Sequence, residues 1–407
     1  MKKIIPLSML CALSLMADAT LDSIQKELET QKQKTATLES QMQALSRANT
    51  KQSASFSQNA YLPDIAFILD MSAVARDVNN TTYSNYAIPG FIDAPDTPEL
   101  IFNPNRGFNL NYAELALHSS VDPYFDAFLV LHLQSNVFEI EEAYVITTSL
   151  PMGLRIKAGK FRSDFGRLNK KHHHSWHFDS QALIHEALFG PDALKDPGVQ
   201  LQWVAPTDTY LMLGAEAMQG TNEASFGASE SNNLYIGYLK SSIDVSEDIS
   251  LLGGMSIIHG ENFVNNTLNP TDLYGIDFTL REQLGAYSSL LWQNEFIQRE
   301  KNLGTRVDKQ AGFYSELIYT YNNNYATGLR YDAITQNDTD LSAYSGVNTD
   351  NLDRFTAMLE YKPFEMSRLR LSYTYDRSKI ISGERKNINE VMLSLNISAG
   401  AHSAHDF

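Results

Sequence analysis

The sequence predicts an all-β chain, a transmembrane antiparallel barrel of about 16 strands with an N-terminal coiled-coil helix ahead of it. Three observations predict this class. From Tyr61 to Phe407 the chain runs through short segments of alternating polarity, the pattern of strands that meet lipid with one face and water with the other. The turns between them split into a tight set and a mostly long, polar set, the asymmetry of barrels with one short-turn and one long-loop end. No stretch approaches the ~20 uninterrupted apolar residues of a spanning helix, so a membrane crossing has to be made by a closed sheet.

Taken in order, residues 1–19 have the form of a secretory signal: Lys2 and Lys3, an apolar run from Ile4 to Met16, and the small-x-small site Ala17-Asp18-Ala19. Residues 20–48 form the coiled-coil helix. Leu21, Ile24, Leu28, Leu38, Met42 and Leu45 fall on a and d positions, and Gln31 and Thr35 fill the two remaining core places. A lone helix with two polar core positions is marginal, so the pattern points to assembly with further copies. Residues 49–60 are a polar linker and residues 61–407 the barrel.

Tight turns are expected at Val121-Asp122-Pro123, Leu150 to Gly153, Pro206 to Asp208, Ser246 to Asp248, Leu284 to Ala286, Asn322 to Asn324 and Pro363 to Ser367. Longer loops are expected at 76–106, 166–197, 221–232, 261–271, 300–309, 337–351 and 379–386, with one short link near Asn136. Alternation is cleanest late: Phe355, Ala357, Leu359 and Tyr361 oppose Arg354, Thr356, Met358, Glu360 and Lys362. In the last strand, Val391, Leu393, Leu395 and Ile397 oppose Met392, Ser394, Asn396 and Ser398.

The chain carries 48 acidic against 32 basic residues, a net charge of −16, which argues against a nucleic-acid partner. Its one cysteine, Cys11, sits inside the signal, so the mature chain has no disulfide and no thiolate metal site or nucleophile. No Ser, His and acid triplet stands out, and an enzyme is not expected.

A sixteen-strand barrel is wide enough to leave an aqueous channel, and the residues after the signal and before Tyr61 are too few for a globular plug. The expected lumen chemistry is basic. Arg155 and Lys157 alternate with apolar neighbours on the fifth strand, and a bulge at Gly159 would turn Lys160 and Arg162 inward as well, making a ladder of four cations. Arg167, Lys170 and Lys171 follow in the next loop. Fixed positive charge in a narrow pore concentrates anions. The competing expectation is neutralisation by Asp64, Asp70, Glu216, Asp277, Glu316, Glu360 and Asp376 on inward faces.

The same loop carries His172, His173, His174 and His177. A helical turn would put His173 and His177 on one face, a spacing that suits Zn²⁺, with Asp179, His185 and Glu186 as further ligands. Without a metal, these histidines make either a proton-sensitive constriction or a solvated polar loop. No cofactor is required by the sequence, and Zn²⁺ is the candidate ion.

Gly159-Lys160-Phe161 followed by Phe165-Gly166 resembles the strand-and-loop motif of Gram-negative outer-membrane porins of the phosphate-selective family. The resemblance implies a trimeric, passive channel for small hydrophilic solutes, with the loop 166–197 folded inward as a constriction. It also implies a place in the lipid of the outer membrane, with the helix in the periplasm. Phe407 resembles the terminal aromatic read by the barrel-assembly machinery. Asn169 to Phe178 with Phe189-Gly190-Pro191 is more weakly similar to zinc-regulated outer-membrane receptors, which gives the alternative of a metal-linked uptake barrel. A further alternative is a structural envelope tether, with the coiled coil as the anchor.

Overall fold

The structure, a computed structural model, describes residues 63–400 apart from 94–101, 134–137, 192, 228–232 and 265, together with residue 32. The signal, coiled coil and linker lie outside the described residues. The described chain forms one antiparallel sheet of 17 strands, one of which is the two-residue piece Tyr86–Ala87. The other sixteen are β1 (Asp64–Arg76), β2 (Gly107–Asp122), β3 (Phe125–Leu133), β4 (Phe138–Thr147), β5 (Leu154–Arg162) and β6 (Lys195–Val204). There follow β7 (Tyr210–Met218), β8 (Leu234–Asp244), β9 (Ile249–Val264), β10 (Thr267–Gln283), β11 (Ser289–Asn302) and β12 (Val307–Tyr321). The last four are β13 (Tyr325–Asp338), β14 (Asp353–Phe364), β15 (Ser367–Ile381) and β16 (Glu384–Gly400).

Each strand pairs with its sequence neighbours, and β16 returns to β1 in a register running from Ala66↔Gly400 to Arg76↔Glu390. The sheet is therefore a closed barrel. Closure removes both edges, which is what lets the backbone stand in lipid. The last strand continues past Ile397, where the alternation fades, because pairing with β1 holds it through Gly400.

The pleat sorts the side chains as expected. Phe355, Leu359, Tyr361, Leu369, Leu371, Tyr373, Val391 and Leu393 are exposed on the outside, while Arg354, Thr356, Met358, Glu360, Arg370, Ser372, Met392 and Ser394 are buried inside. The seven tight turns form one end. At the other end, three of the expected loops are instead hairpins. Strands β9 and β10 stay paired out to Val264↔Thr267, β11 and β12 to Asn302↔Val307, and β15 and β16 to Ile381↔Glu384. Polar composition marked these segments as loops, but strands that rise beyond a membrane have two wet faces and need no apolar alternation.

The lumen is not left open by default. Three connections turn back into it: the β1–β2 segment with Tyr83, Tyr86, Ile88 and Ile92, the β5–β6 segment 163–194, and the β7–β8 segment with Ser225 and Phe226, the residues named here being buried. Helix α1 is the single turn Asn80–Tyr83 of the β1–β2 segment, and the β5–β6 segment includes helix α2 (Leu183–Phe189), every residue of which is buried. Its Leu-Ile-His-Glu-Ala-Leu-Phe sequence is apolar around most of its circumference, as a helix packed on all sides requires. Wall residues meet it with an apolar belt, since Ile236, Ile258, Leu273, Ile297 and Tyr314 join Phe165, Leu168, Trp176, Ile184, Leu188 and Phe189 in one core.

Candidate functional site

The β5–β6 segment is fixed to the wall by hydrogen bonds and ion pairs around the circumference. Starting at β9, the Gly166 N–H donates to Ser256 Oγ at 3.0 Å and the Arg167 N–H to Glu295 on β11 at 3.2 Å. His177 Nδ1 meets Glu316 on β12 at 2.5 Å, and the Leu183 N–H, at the start of α2, donates to Asp332 on β13 at 2.9 Å. That aspartate caps a helix whose own cap residue, Ala182, has no side chain to do so.

Arginines on three adjacent strands then clasp the segment's carbonyls and acids. Arg330 donates to Ser180 O and Oγ at 2.8 and 2.7 Å, and Arg354 pairs with Glu186 at 3.1 Å. Arg368 donates to His174 O at 2.7 Å, and Arg370 binds both Asp179 at 2.8 Å and Glu360 at 2.9 Å through Nε. Several inward carboxylates named from sequence (Glu316, Glu360 and Asp376) are thus engaged by this docking. Asp64 differs, being exposed beside His118 at 3.6 Å.

The basic residues of β5 part company. Strand β5 pairs with β6 without a register shift from Leu154↔Trp203 to Arg162↔Lys195, so Gly159 is not a bulge. It has φ +136°, and a Cβ there would lie 2.2 Å from Ala143 O, so the glycine lets the strand twist tightly against its neighbour. The bulge sits one strand earlier, on β4 opposite Val130 and Leu131, and it places Glu141 beside Glu142. Lys160 pairs with Glu139 at 3.3 Å, and Arg162 is held by Glu141, which also takes Lys195 at 2.5 Å. Of the four expected ladder cations, Arg155 and Lys157 are thus the two with no acidic partner among the described residues.

Those two are joined by the loop residues. Arg155 donates to Gln202 at 2.9 Å, and the Lys157 ammonium lies 5.0 Å from the Tyr144 ring and 5.1 Å from Phe161. Burial alone would raise the Asp164 carboxyl, but Lys157, Lys240 and Lys170 around it hold it well below the usual range. Lys170 is lowered by burial and by Lys240, Arg167 and Lys157, and Lys171 is pushed down to about 8 by burial and then by Arg167. Among the described residues, none of Arg155, Lys157, Arg167, Lys170, Lys171 and Lys240 has a carboxylate ion-pair partner. Lys240, on β8, was missed in sequence because it stands alone in Tyr-Leu-Lys-Ser with no basic neighbour.

The four histidines also divide. His173–Ser175 is a single 3₁₀ turn, and Trp176 after it is extended, so no helical face joins His173 to His177. His173 stacks on Phe102 at 4.2 Å and bonds Asp179 O, whereas His172 and His174 converge on the carboxylate of Glu114. Asp179, His185 and Glu186, named as further ligands, go separately to Arg370, to Glu295 at 3.0 Å and to Arg354.

No protein-family model matches the chain. An uncharacterized protein of Aquifex aeolicus (strain VF5) is 36% identical over 393 residues, spanning 89% of this chain and 83% of that protein, and the chain belongs to the same family. Solved structures share the fold. The outer membrane channel DcaP of Acinetobacter baumannii superposes with a TM-score of 0.56 at 11% identity, over 83% of this chain and 97% of that one. An anion-selective porin from Comamonas acidovorans gives 0.55 at 10% identity, over 83% and 99%. The barrel is porin-like.

Proposed function

We propose that the chain is a passive outer-membrane channel of a Gram-negative bacterium for small hydrophilic solutes, with anions preferred and the β5–β6 segment as its constriction. The observation that carries this reading is the set of six cations, Arg155, Lys157, Arg167, Lys170, Lys171 and Lys240, that have no ion pair among the described residues, on one part of the inner wall and the loop beside it. These cations surround Asp164, against which Glu216 packs, and Lys240, Arg167 and Lys170 also act on Asp277. A low-dielectric pore with unbalanced positive charge lowers the energy of a passing anion and raises that of a cation.

The similar fold of an anion-selective porin from Comamonas acidovorans agrees with this reading at the level of architecture. By the same analogy we assign the protein to trimers in lipid, assembled by the barrel-assembly machinery. The test is planar-bilayer recording of the full mature chain with reversal potentials under a salt gradient. Discrete conductance steps with a reversal potential on the anion side support the proposal. Absence of conductance, or a preference for cations, refutes it.

A further inference from the structure

We propose that Glu114, His132 and His172 form a binding site for a divalent first-row transition-metal ion such as Zn²⁺, which pins the β5–β6 segment to the barrel wall. Glu114 on β2 and His132 on β3 stand directly opposite each other in the register of the two strands, and His172 and His174 reach them from the loop. Glu114, His132 and His172 are all buried, and one ligand atom from each lies within 4.8 Å of the others. The Glu114 oxygen Oε2 is 3.1 Å from His132 Nε2, 3.5 Å from His172 Nδ1 and 3.4 Å from His174 Nδ1. A tetrahedral ion with bonds of ~2.0–2.1 Å needs donors about 3.3 Å apart.

Two further features point to a ligand. The only ion-pair partners of Glu114 among the described residues are these imidazoles, although it is fully buried, and its second oxygen, Oε1, is buried with no hydrogen-bond partner. A buried carboxylate needs compensating charge, and here no lysine or arginine supplies it. The second feature is the outer layer. His172 Nε2 meets Glu142 at 2.7 Å and His132 Nδ1 meets Glu141 at 3.5 Å. An imidazole that binds a metal through one nitrogen and a carboxylate through the other is the usual orienting arrangement at such sites. Glu141 is itself fixed by Lys195 and Arg162, and Glu142 accepts the Arg162 N–H at 2.7 Å. The donor set of nitrogens and one carboxylate oxygen suits Zn²⁺, Ni²⁺ or Cu²⁺ over Ca²⁺ or Mg²⁺, which take oxygen shells.

The site does not depend on conduction, so it is tested on the untagged full chain in detergent by equilibrium dialysis against Zn²⁺ followed by metal analysis. The expected result is about one ion per chain, at least about tenfold weaker retention in His132→Gln and His172→Gln, and a loss of about 10–100-fold in Glu142→Gln. His259→Ala, at an exposed pair with Asp272, leaves retention unchanged. Heat-modifiable gel migration shows that each variant is folded. Should a variant fail to fold, Co²⁺ loading of the wild type decides, since four-coordinate nitrogen and oxygen donors give intense visible bands. Failure of the wild type to retain zinc, zinc retention undiminished in both histidine variants, or only the weak bands of six-coordinate Co²⁺ would overturn the proposal.

Discussion

Asp179 of the inward segment holds the wall from both of its oxygens: Oδ1 accepts from Arg370 Nη1 at 2.8 Å and Oδ2 from Ser394 Oγ at 2.8 Å. All three groups are buried, and Arg370 also donates to the Trp176 carbonyl at 3.1 Å. One acid therefore ties the loop to two adjacent strands.

Removing the charge of Asp179 leaves Glu360 as the one acidic partner of Arg370 among the described residues. Breaking one partner of a buried pair costs about 3–5 kcal/mol, and the remaining glutamate puts this case at the low end. Asp179→Asn is expected to loosen the segment without opening the barrel. Single-channel recording should show larger and noisier conductance steps, while heat-modifiable migration stays that of the wild type. Unchanged conductance would mean that the segment does not limit flow.

Charge reversal at the unpaired cations separates them from the paired ones. Lys170→Glu and Lys240→Glu are each expected to move the reversal potential toward cation preference. Lys160→Gln is expected to leave it in place, because Lys160 already sits against Glu139 at 3.3 Å. Equal shifts from all three variants would return the full ladder on β5 to consideration.

The Lys171 ammonium, lowered to about 8 by burial and Arg167, gives a pH signature. It is charged at pH 6 and largely neutral at pH 9, so anion preference should decline across that window. For stability the sign is opposite to that of a favourable pair. The folded pKa lies below the unfolded one of about 10.4, so the protonated group disfavours the fold, with a penalty that is full below about pH 8 and fades as pH rises from about 8 to about 10.4. Lys171→Met should flatten its share of the selectivity change when reversal potentials are measured from pH 6 to 9.

Gly275 on β10 makes room for the loop. A Cβ at this position would lie 2.8 Å from the Phe165 ring. Gly275→Val is expected to overpack the contact at a cost of about 1–3 kcal/mol, seen as faster protease cleavage of the segment. Combining it with Phe165→Leu should recover part of the loss; simple addition of the two effects would argue against direct contact.

Much of the fold was legible in sequence. The period-2 pattern of strands such as Phe355 to Tyr361 depends only on pleat geometry, and the seven tight turns fixed the strand count and pairing. Legibility failed where wet strands carry no alternation, as at 261–271 and 379–386. It failed at the site as well. Lys157, Lys170 and Lys171 were visible as a local basic run, but Lys240 was not, and the separation of Lys160 and Arg162 from Arg155 depended on a bulge in β4.

By itself, then, the sequence determined that the described chain closes into a sheet with a greasy outside, because strand periodicity and turn chemistry are local. Only the tertiary structure decided what fills and charges the inside. Glu114, His132 and His172 meet across two strands and a loop, and Asp179 finds Arg370 from 191 residues away in the chain. Such encounters depend on register and on the path of a folded-back loop, neither of which leaves a periodic trace in the chain.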